Sequence, residues 1–446
     1  MSKNVTIVGA GLVGSLWAAY CSKRGYNVEV FERRPDVRKT GGYGGKSINL
    51  ALSDRGWKAL EGVGLGDEIR KMAIPMHKRI MHAVDGTITE QAYGKEGQAI
   101  YSVSRGGLNE RLMDLAEQSD KVKITFDSKC TGVDFKTGTT TFDHKGEHKS
   151  VESDVVFGTD GAFSAVRAAM QKTSRFNYSQ EYIDHGYKEL NIPPNEDGSH
   201  RLETEALHIW PRGGYMLIAL PNLDGSFTCT LFFPYEGKDS FESLDTTEKA
   251  TAFFKETFAD AYDLMPTFEQ DWEENPTAPL VIIRCAPWTK NGKVALMGDA
   301  SHAIVPFYGQ GMNSGFEDCT ILNQLLEEMG DSDMKSVLEA YQTERTPNGN
   351  AIADLAMRNF VEMRDLTANP RFLLRKKIEA KISKKHPEKW LPLYSMVTFS
   401  HIPYHKALAI GQKQDEIMEA IMDRPDIKDQ WDSQEIEDAI LARANF

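Results

Sequence analysis

The chain opens with apolar runs separated by small residues, in VTIVGAGLVGSLWAAYCSKRGYNVEVFERR, residues 5–34. An apolar run comes first, a glycine-rich turn and an Ala-rich stretch with helical spacing follow, and a second apolar run begins after Gly25. Short apolar runs bounded by turn residues are typical of buried strands, and a glycine after the last periodic position often ends a helix. The pattern predicts a strand, a tight turn, a helix and a second strand, which is a βαβ unit.

Later segments predict an antiparallel layer and a helical end. KVKITFDS, TTTFDHKG and ESDVVFGTDGA cluster β-forming residues between turns and extend the first unit. ALHIWPRGGYMLIALPNLDGSFTCTLFFP contains short strands separated by PRGG and NLDG turns, as in an antiparallel sheet. From about Gly315 onward, Leu, Ile, Ala, Met and Glu dominate, which predicts helices. We expect an α/β domain formed by residues 1–74, 105–177 and 286–330, a mainly antiparallel domain formed by 75–104 and 178–285, and a helical region, 331–446.

Composition excludes several classes of function. The 446 residues include 52 basic and 65 acidic side chains, a formal charge of −13, which is unsuited to nucleic acid or anionic lipid. Five cysteines without a CxxC pair predict neither a disulfide framework nor a zinc site and fit a reducing compartment. No basic leader precedes an apolar segment, and no uncharged run approaches the roughly 20 residues that cross a bilayer. We expect a cytoplasmic protein without a transmembrane anchor or metal.

The turn after the first strand carries GAGLVG, with Gly9, Gly11 and Gly14. This spacing allows a tight turn, close approach of a diphosphate to the helix N-terminus, and close helix–strand packing. Glu32 ends the next strand, where a carboxylate can accept hydrogen bonds from ribose hydroxyls. The arrangement predicts a dinucleotide site, but it does not separate FAD from NAD.

A second glycine-rich block, KVALMGDASHAIVPFYGQGMNSGFED, lies far downstream. Its strand ends at Met297, so Asp299 can meet a ribitol or ribose hydroxyl. Gly309, Gly311 and Gly315 allow backbone amides near a helix start to approach a flat ring system. The alternative is an ordinary loop before a helix.

A third segment, GTDGAFSAVR, contains Asp160 and Arg167, for which a turn salt bridge is the alternative interpretation. Together the three segments resemble the single-component flavoprotein hydroxylases related to p-hydroxybenzoate hydroxylase. The resemblance implies a Rossmann-type FAD-binding domain, an antiparallel-sheet substrate domain and a reduced flavin that reacts with oxygen to give a hydroperoxide. A second GxGxxG after a strand is missing from the sequence, so a nicotinamide cofactor is expected to bind without its own Rossmann domain.

Five further stretches resemble the kynurenine 3-monooxygenase family: SINLALSDRGWKALEGVGL, IPMHKRIMHAVDG, YSVSRGGLNERLM, VPFYGQGMNSGFED and MRNFVEMRD. The resemblance implies that FAD and NADPH are the cofactors and that L-kynurenine and O₂ react to give 3-hydroxykynurenine and water. The substrate residues that it implies are Arg79, Tyr93, Asn359 and Tyr394. The cofactor residues expected from the motifs and the resemblance are Gly9, Gly11, Val13, Gly14, Glu32, Arg33, Ala51, Arg105, Asp160, Asp299, Gly311, Met312 and Asn313.

The chemistry of the four substrate residues is compatible with the role that the resemblance implies, and each of them also has a simpler structural interpretation. The planar fork of Arg79 suits a carboxylate, and the Asp85–Gly86 turn predicts a hairpin that returns Tyr93 toward it. A surface arginine is the alternative. Asn359 lies on an apolar helical stripe, which predicts either a pocket-facing amide or a satisfied core amide. Tyr394 lies in an apolar stretch that also suits the core.

The loop Pro306, Phe307, Tyr308 is expected beside the flavin, where an aromatic substrate would stack. His302 is expected to be structural or flavin-adjacent, and no acid–base catalyst is predicted because the amino group already activates the ring.

Two other functions remain open from the sequence. One is a related FAD hydroxylase acting on a phenol or a quinone precursor, and the other is a flavin-binding protein without turnover. A halogenase of related fold is disfavoured because the sequence lacks WxWxIP. The oligomeric state, a homodimer included, and the preference for NADPH over NADH are left open.

Overall fold

A computed structural model describes residues 2–40, 49–363 and 369–444. The first two residues of the SINLALSDRGWKALEGVGL motif and the last two of MRNFVEMRD lie outside the described residues. The strands are β1 Asn4–Val8, β2 Asn27–Phe31, β3 Asn49–Leu52, β4 Ala73–Met76, β5 Lys78–His82, β6 Ile88–Ala92, β7 Ile100–Ser104, β8 Val122–Thr125, β9 Ser128–Val133, β10 Thr139–His144, β11 Glu147–Glu152, β12 Val155–Gly158, β13 Asn177–Ile192, β14 Ala206–Pro211, β15 Met216–Pro221, β16 Phe227–Pro234, β17 Ala278–Ala286, β18 Thr289–Lys290 and β19 Val294–Leu296.

The helices alternate with these strands in the first part of the chain and follow one another in the last part. They are α1 Leu12–Lys23, α2 Val37–Thr40, α3 Asp54–Val63, α4 Gly66–Arg70, α5 Arg105–Glu117, α6 Ala165–Gln171, α7 Thr247–Thr257, α8 Ala259–Tyr262, α9 Phe268–Glu274, α10 Asp299–His302, α11 Gly311–Met329, α12 Met334–Val361, α13 Pro370–Lys385, α14 Leu393–Thr398, α15 Tyr404–Met422, α16 Ile427–Gln430 and α17 Gln434–Leu441. A short 3-10 helix spans Pro306–Tyr308.

The N-terminal βαβ unit is the centre of a six-stranded sheet with the order β18-β19-β12-β1-β2-β8. Strand β1 pairs in parallel with both β2 and β12, and β19 pairs in parallel with β12. Four successive residues of β1, from Val5 to Val8, are buried, because a parallel sheet is covered on both faces. The carboxyl ends of β1, β12 and β19 therefore meet at one edge, where the three glycine-containing segments follow them.

A seven-stranded sheet, β17-β13-β16-β15-β14-β5-β6, forms the second layer. Its pairs are antiparallel except β14 with β5, which run in parallel, so the sheet is mainly antiparallel and the parallel pair is a feature that the sequence did not predict. The parallel pair arises because β5 is contributed from a distant part of the sequence rather than through a hairpin with β14.

The two faces of this sheet are packed against different parts of the chain. One face, which includes Trp210 and Leu231, packs on the α7–α9 helices through Phe254 and Trp272. The other face packs on α12, α14 and α15, and its hydrophobic cluster contains Phe307. The second face is consequently the one that adjoins the predicted substrate residues.

The C-terminal part is helical, as predicted. Helices α13, α15, α16 and α17 share a separate apolar cluster that includes Trp390 and Met418. Helix α12 continues through Pro347 over 28 residues, so the proline that interrupts its sequence does not end it. Among the described residues, every helix is too short or too polar to cross a membrane.

Candidate active site

Three glycines form the turn between β1 and α1. Gly9 has a φ of +102°, and a Cβ atom there would lie 2.8 Å from the backbone oxygen of Thr159. A Cβ atom at Gly14 would lie 2.0 Å from the backbone oxygen of Gly9. At Gly11, which caps α1, a Cβ atom would meet no atom of the described chain within 4 Å. The fold therefore requires Gly9 and Gly14, whereas Gly11 keeps the helix N-terminus accessible to a diphosphate.

Glu32 ties the end of β2 to this turn. Its Oε2 atom accepts a hydrogen bond of 2.9 Å from the backbone N–H of Ala10, and its Oε1 atom accepts one of 2.9 Å from that of Arg34. Each carboxylate oxygen has two lone pairs, so both can accept a further hydrogen bond. Glu32 thus fixes the glycine turn and remains able to bind a ribose hydroxyl.

The Gly298–Asp299 turn packs directly on the first glycine turn through Val13. Gly298 has a φ of +59°, and a Cβ atom there would lie 2.9 Å from Cγ2 of Val13. A Cβ atom at Gly315, on α11, would lie 2.7 Å from the same methyl group. Asp299 is exposed at this edge. Val13 is accordingly a packing residue that holds the two glycine-containing turns together, and Asp299 is presented toward solvent beside them.

Asn313 joins the FYGQG loop to β3. Its Nδ2 atom donates hydrogen bonds of 2.8 Å to the carbonyls of Ala51 and Gly309, and its Oδ1 atom accepts one of 3.0 Å from the N–H of Ser53. The amide is 0% exposed and satisfied by these contacts. Gly309 has a φ of +66°, a conformation that suits glycine, and it lies where α11 is about to begin. Asn313 therefore positions the backbone that the sequence predicts beside a flavin.

Asp160 caps α6 instead of pairing with an arginine. Its carboxylate accepts hydrogen bonds of 2.5 Å from Oγ of Ser164 and 2.6 Å from the N–H of Ala165, and burial raises its pKa. Arg167 donates to the carbonyls of Ala162 and Ala300. Within the described part of the chain, the turn salt bridge between Asp160 and Arg167 is thus not found, because each group is used by the backbone of this turn.

Arg79 lies between two tyrosine rings on the substrate side. Its Cζ atom is 4.8 Å from the ring centre of Tyr93 and 4.7 Å from that of Tyr394. Tyr308 stacks on Tyr394 with ring centres 5.4 Å apart. Burial raises the pKa of Tyr93, Tyr308 and Tyr394, so these phenols stay protonated and can donate hydrogen bonds. The three rings and the guanidinium form what we call the tyrosine box.

The guanidinium of Arg79 has unused donor capacity. Its Nε atom is buried and has no hydrogen-bond partner among the described residues. Burial lowers the pKa of Arg79, but Tyr93, Tyr394 and Glu362 outweigh this effect, so the group stays charged. A buried donor without a partner costs roughly 1–3 kcal/mol, which an anionic ligand would recover. The box is therefore suited to a carboxylate.

Asn359 holds the loop that adjoins the tyrosine box. Its Nδ2 atom donates a hydrogen bond of 2.6 Å to the carbonyl of Phe307, and its side chain is buried on α12 as the helical stripe predicts. Phe307 in turn stacks on Phe360 with ring centres 4.1 Å apart. The Nδ2 group thus contacts the carbonyl of Phe307 and, at 3.2 Å, Sδ of Met363, so Asn359 positions the Pro306–Tyr308 helix in this structure.

Comparison with known proteins places these features in a family. The FAD binding domain family matches residues 2–356 of the chain. A kynurenine 3-monooxygenase from Flavobacterium johnsoniae is 53% identical over 442 residues, which cover 99% of this chain and 98% of that protein. A kynurenine 3-monooxygenase from Dictyostelium discoideum is 44% identical over 434 residues, which cover 95% and 94% of the two chains.

The chain belongs to the kynurenine 3-monooxygenase family.

Solved structures support the same architecture. A tetrameric form of 2-methyl-3-hydroxypyridine-5-carboxylic acid oxygenase matches with a TM-score of 0.64 at 20% identity, covering 83% of this chain and 94% of that one. A probable FAD-dependent monooxygenase from Pseudomonas aeruginosa matches with a TM-score of 0.65 at 18% identity, covering 82% and 97%. These neighbours establish the fold, and the family match establishes an FAD-dependent monooxygenase.

The predicted family residues fall into two groups in the structure. Glu32, Asp299 and Gly11 surround the edge where β1 and β19 end, and Arg79 lies with Tyr93 and Tyr394 on the other side of the FYGQG loop. Two predicted cofactor residues, Arg33 and Arg105, are exposed, and Arg105 begins α5. The remaining predicted residues, Ala51, Gly311 and Met312, lie where β3 and α11 meet the loop.

A buried ionic network below the Gly298 turn was missed by sequence reasoning. Asp318 is 0% exposed and accepts hydrogen bonds of 2.8 Å from the N–H of Gly298, 2.6 Å from Nε2 of His302 and 2.7 Å from Nε of Arg345. His302 also stacks on Trp288, with ring centres 5.0 Å apart. The clue in the sequence was an acidic residue inside the apolar face of α11. His302 is therefore a structural partner of Asp318 rather than a proton donor in the pocket.

Glu362 was also missed. It follows Asn359 by three residues, nearly one helical turn, and its charge raises the pKa of both Arg79 and Tyr308. It also pairs with Lys376 at 3.3 Å. The tyrosine box thus has an anionic group close to its cation, a combination that suits a zwitterionic amino acid.

Proposed function

We propose that the protein inserts one oxygen atom of O₂ into the aromatic ring of L-kynurenine, ortho to its amino group. NADPH supplies two electrons and one proton as hydride, a second proton comes from solvent, and the products are 3-hydroxykynurenine, NADP⁺ and water. The observation that carries this proposal is the buried Arg79 guanidinium between Tyr93 and Tyr394, with a donor that lacks a partner among the described residues. The names of relatives that are 44% and 53% identical support the same substrate.

The residues at the edge of the six-stranded sheet fit FAD. The open approach to Gly11, the free lone pairs of Glu32 and the exposed Asp299 offer a diphosphate site and hydroxyl acceptors. We propose that these residues, together with the backbone around Gly311, hold the cofactor. When bound, FAD supplies the transfer of electrons from NADPH and the activation of O₂.

The substrate residues act by binding and orientation. Arg79 would bind the carboxylate of the substrate through two parallel N–H donors, and the protonated phenols of Tyr93 and Tyr394 would add one hydrogen bond each. Glu362 would attract the ammonium group. Fixing both charged groups leaves the aromatic ring only a small range of positions beside the FYGQG loop.

The loop also excludes water. Phe307 and Tyr308 are each at most 7% exposed, and they pack on the apolar cluster around α12. A dry pocket prevents activated oxygen from being lost to water before it reaches the ring. No side chain in the tyrosine box is required as a base, because the ring amino group of the substrate donates electron density itself.

The test is direct. Purified protein loaded with FAD is mixed with NADPH and a panel of aromatic compounds, and NADPH oxidation is followed with and without each compound. We expect strong stimulation by L-kynurenine, and mass spectrometry under ¹⁸O₂ should find one labelled oxygen in the product. Stimulation by a simple phenol but not by kynurenine would refute the proposed substrate. FAD binding without NADPH oxidation in the presence of any compound would refute turnover.

Other expectations from the sequence remain part of the proposal. We propose that residues 1–74, 105–177 and 286–330 form the FAD-binding domain, that 75–104 and 178–285 form the substrate domain and that 331–446 form the helical region. A cytoplasmic location and a nicotinamide cofactor that binds without its own Rossmann domain stay predictions, and a homodimer is one of the oligomeric states that the sequence leaves open.

A further inference from the structure

Two histidines lie on the face of β5 opposite the substrate. His82 ends β5, and its Nδ1 atom is 3.0 Å from Oδ2 of Asp260, on α8. Its Nε2 atom is 3.0 Å from Nδ1 of His208, on the neighbouring strand β14. The Nε2 atom of His208 is 2.9 Å from the carbonyl oxygen of Glu203. His82 is 5% exposed and His208 is 2% exposed, so both imidazoles are buried, whereas the side chain of Asp260 is 47% exposed.

This chain of contacts needs three ring protons. A carbonyl oxygen only accepts, so Nε2 of His208 must carry a proton, and a carboxylate only accepts, so Nδ1 of His82 must carry one. The contact between the two rings requires a third proton. Two neutral imidazoles carry two protons in total, so the pair holds one proton more than its neutral form.

The extra proton belongs on His82. Burial lowers the pKa of His208 to about 4, so this ring stays neutral and accepts through Nδ1. Burial raises the pKa of Asp260, but hydrogen bonds from His82 and Trp210 outweigh it and keep the pKa low. The carboxylate is therefore charged and faces an imidazolium, which also stacks on Trp210 with ring centres 4.1 Å apart.

The charged side chains near the pair include Arg212, which also interacts with the Asp260 carboxylate, and Lys78 and Glu203, which act on His208. Arg212 donates a 2.9 Å hydrogen bond to the backbone carbonyl of His82. Lys78 is paired with Glu90 at 3.0 Å and with Glu203 at 2.8 Å, and its charge lowers the pKa of His208. The carboxylate of Asp260 is thus the direct counter-charge of the imidazolium.

This cluster is connected to the tyrosine box through β5, which carries both His82 and Arg79. His82 and Arg79 are three residues apart on a strand of five residues, so their side chains leave opposite faces of the same short element. In the parallel pairing of β5 with β14, Arg79 lies beside Leu207 and the next residue lies beside His208. The protonated pair therefore fastens β5 to β14 from behind, close to the point where Arg79 projects forward.

We propose that His82, His208 and Asp260 form a proton-holding clamp that positions β5 and, through it, the guanidinium of Arg79. The inference rests on the proposed function, because it assigns Arg79 to the substrate carboxylate. The clamp is complete while the third proton is present. Loss of that proton would leave two lone pairs facing each other and loosen β5. Substrate affinity then falls, whereas the chemical step on bound substrate changes less.

The first measurement is the ring protonation itself. In the FAD-loaded wild-type protein with ¹⁵N-labelled histidine, we expect His82 to show two protonated ring nitrogens near neutral pH and His208 to show a single one. Two neutral rings near neutral pH would overturn the clamp, even if kynurenine is turned over normally. This readout depends on neither substrate nor turnover.

The second measurement is the pH dependence of KM and kcat for kynurenine, between about pH 6 and pH 9. In the wild-type protein we expect KM to rise by about tenfold at the alkaline end, with kcat changed by less than about twofold. Asp260→Asn removes the counter-charge and should shift the rise in KM to lower pH by about one unit or more. His208→Phe removes the acceptor, so KM should be raised and flat over this range.

Controls separate the clamp from a general loss of structure. Asp263→Asn changes an exposed carboxylate three residues after Asp260 and should reproduce the wild-type profile. Ionisation of the substrate is common to all variants, so it cancels in the comparison with His208→Phe. If that variant keeps the alkaline rise, or if the wild-type KM is flat, the proposal fails. Absence of any kynurenine-stimulated activity would refute the proposed function, whereas the ring protonation of His82 and His208 would still decide whether the clamp exists. If the variants do not fold, the ¹⁵N resonances of the histidines and the pH profile of KM in the wild-type protein still decide whether the clamp exists.

Discussion

Replacing Arg79 by methionine should separate substrate binding from folding. Methionine keeps an unbranched stem between the rings of Tyr93 and Tyr394 but removes the charge and all five N–H donors. Each charge-assisted hydrogen bond to a carboxylate contributes about 1.5–3 kcal/mol, which corresponds to a roughly 10- to 150-fold change in affinity. We therefore expect KM for kynurenine to rise by at least about tenfold.

The stability of the protein should change little in the same variant. Loss of two cation–π contacts costs about 0.5–2 kcal/mol each. Against this, the buried Nε atom that has no partner in the described part of the chain is removed, which recovers about 1–3 kcal/mol. The two terms are of similar size and opposite sign, so the net change in the free energy of unfolding should be small.

The assay measures KM and kcat for kynurenine, FAD content and urea unfolding on the same preparation. Arg79→Lys is the matched variant, because it keeps the charge but loses the planar fork, and its KM should lie between the other two. An unchanged KM with full FAD content would remove Arg79 from the substrate site. A large loss of stability with normal KM would make the residue structural instead.

Three further predictions test other parts of the site. Glu32→Ala should weaken FAD retention by about 10- to 100-fold, measured by flavin fluorescence on dilution, whereas Glu29→Gln on the preceding strand β2 should not. Asp318→Asn should destabilise the protein by about 3–5 kcal/mol in urea unfolding, because its amide would face donors from His302 and Arg345, and restored stability at any pH would contradict this reasoning. Burial lowers the pKa of His208 to about 4, so the unfolded chain binds more protons below about pH 6.5 and stability should fall on acidification, by up to ~3 kcal/mol by pH 4. His208→Phe should remove that part of the acid sensitivity in urea titrations.

The fold was predictable where a pattern is local. The apolar runs around GAGLVG predict β1, α1 and β2, and the structure has these elements in parallel register with β12. The Asp85–Gly86 turn predicts the hairpin of β5 and β6, which forms with Arg79 opposite Gln91. The parallel pairing of β5 with β14 was missed, because no local signal in either strand specifies a partner more than a hundred residues away.

The site was predictable only in part, because several of its contacts also join residues that are far apart in the sequence. Residue types and family motifs identified Arg79, Tyr93 and Tyr394, and a helical stripe predicted that Asn359 is buried. Sequence could not show that the amide of Asn359 is used by the carbonyl of Phe307, since that contact spans 52 residues. Asp160 shows the converse: its motif was found, but the backbone donors of its own turn were not weighed against Arg167.

Charged residues that are paired through tertiary contacts explain why the prediction of the site from the sequence was incomplete. A buried ion pair stabilises a fold weakly, because desolvation offsets the attraction, so such pairs are informative mainly where they fix a particular geometry. Here the buried Asp318 fastens the Gly298 turn at the edge proposed for the cofactor, and Asp260, whose side chain is 47% exposed, fastens the end of β5 behind the proposed substrate residues. Each carboxylate contacts a histidine from another element, His302 on α10 or His82 on β5, and each lies one layer behind a group that is proposed to touch a ligand. The glycine-rich block contains both His302 and Asp318, but it does not reveal their contact, because such partners are set by the tertiary structure. Variants at these positions should therefore change the placement of cofactor or substrate groups without removing any group that touches them.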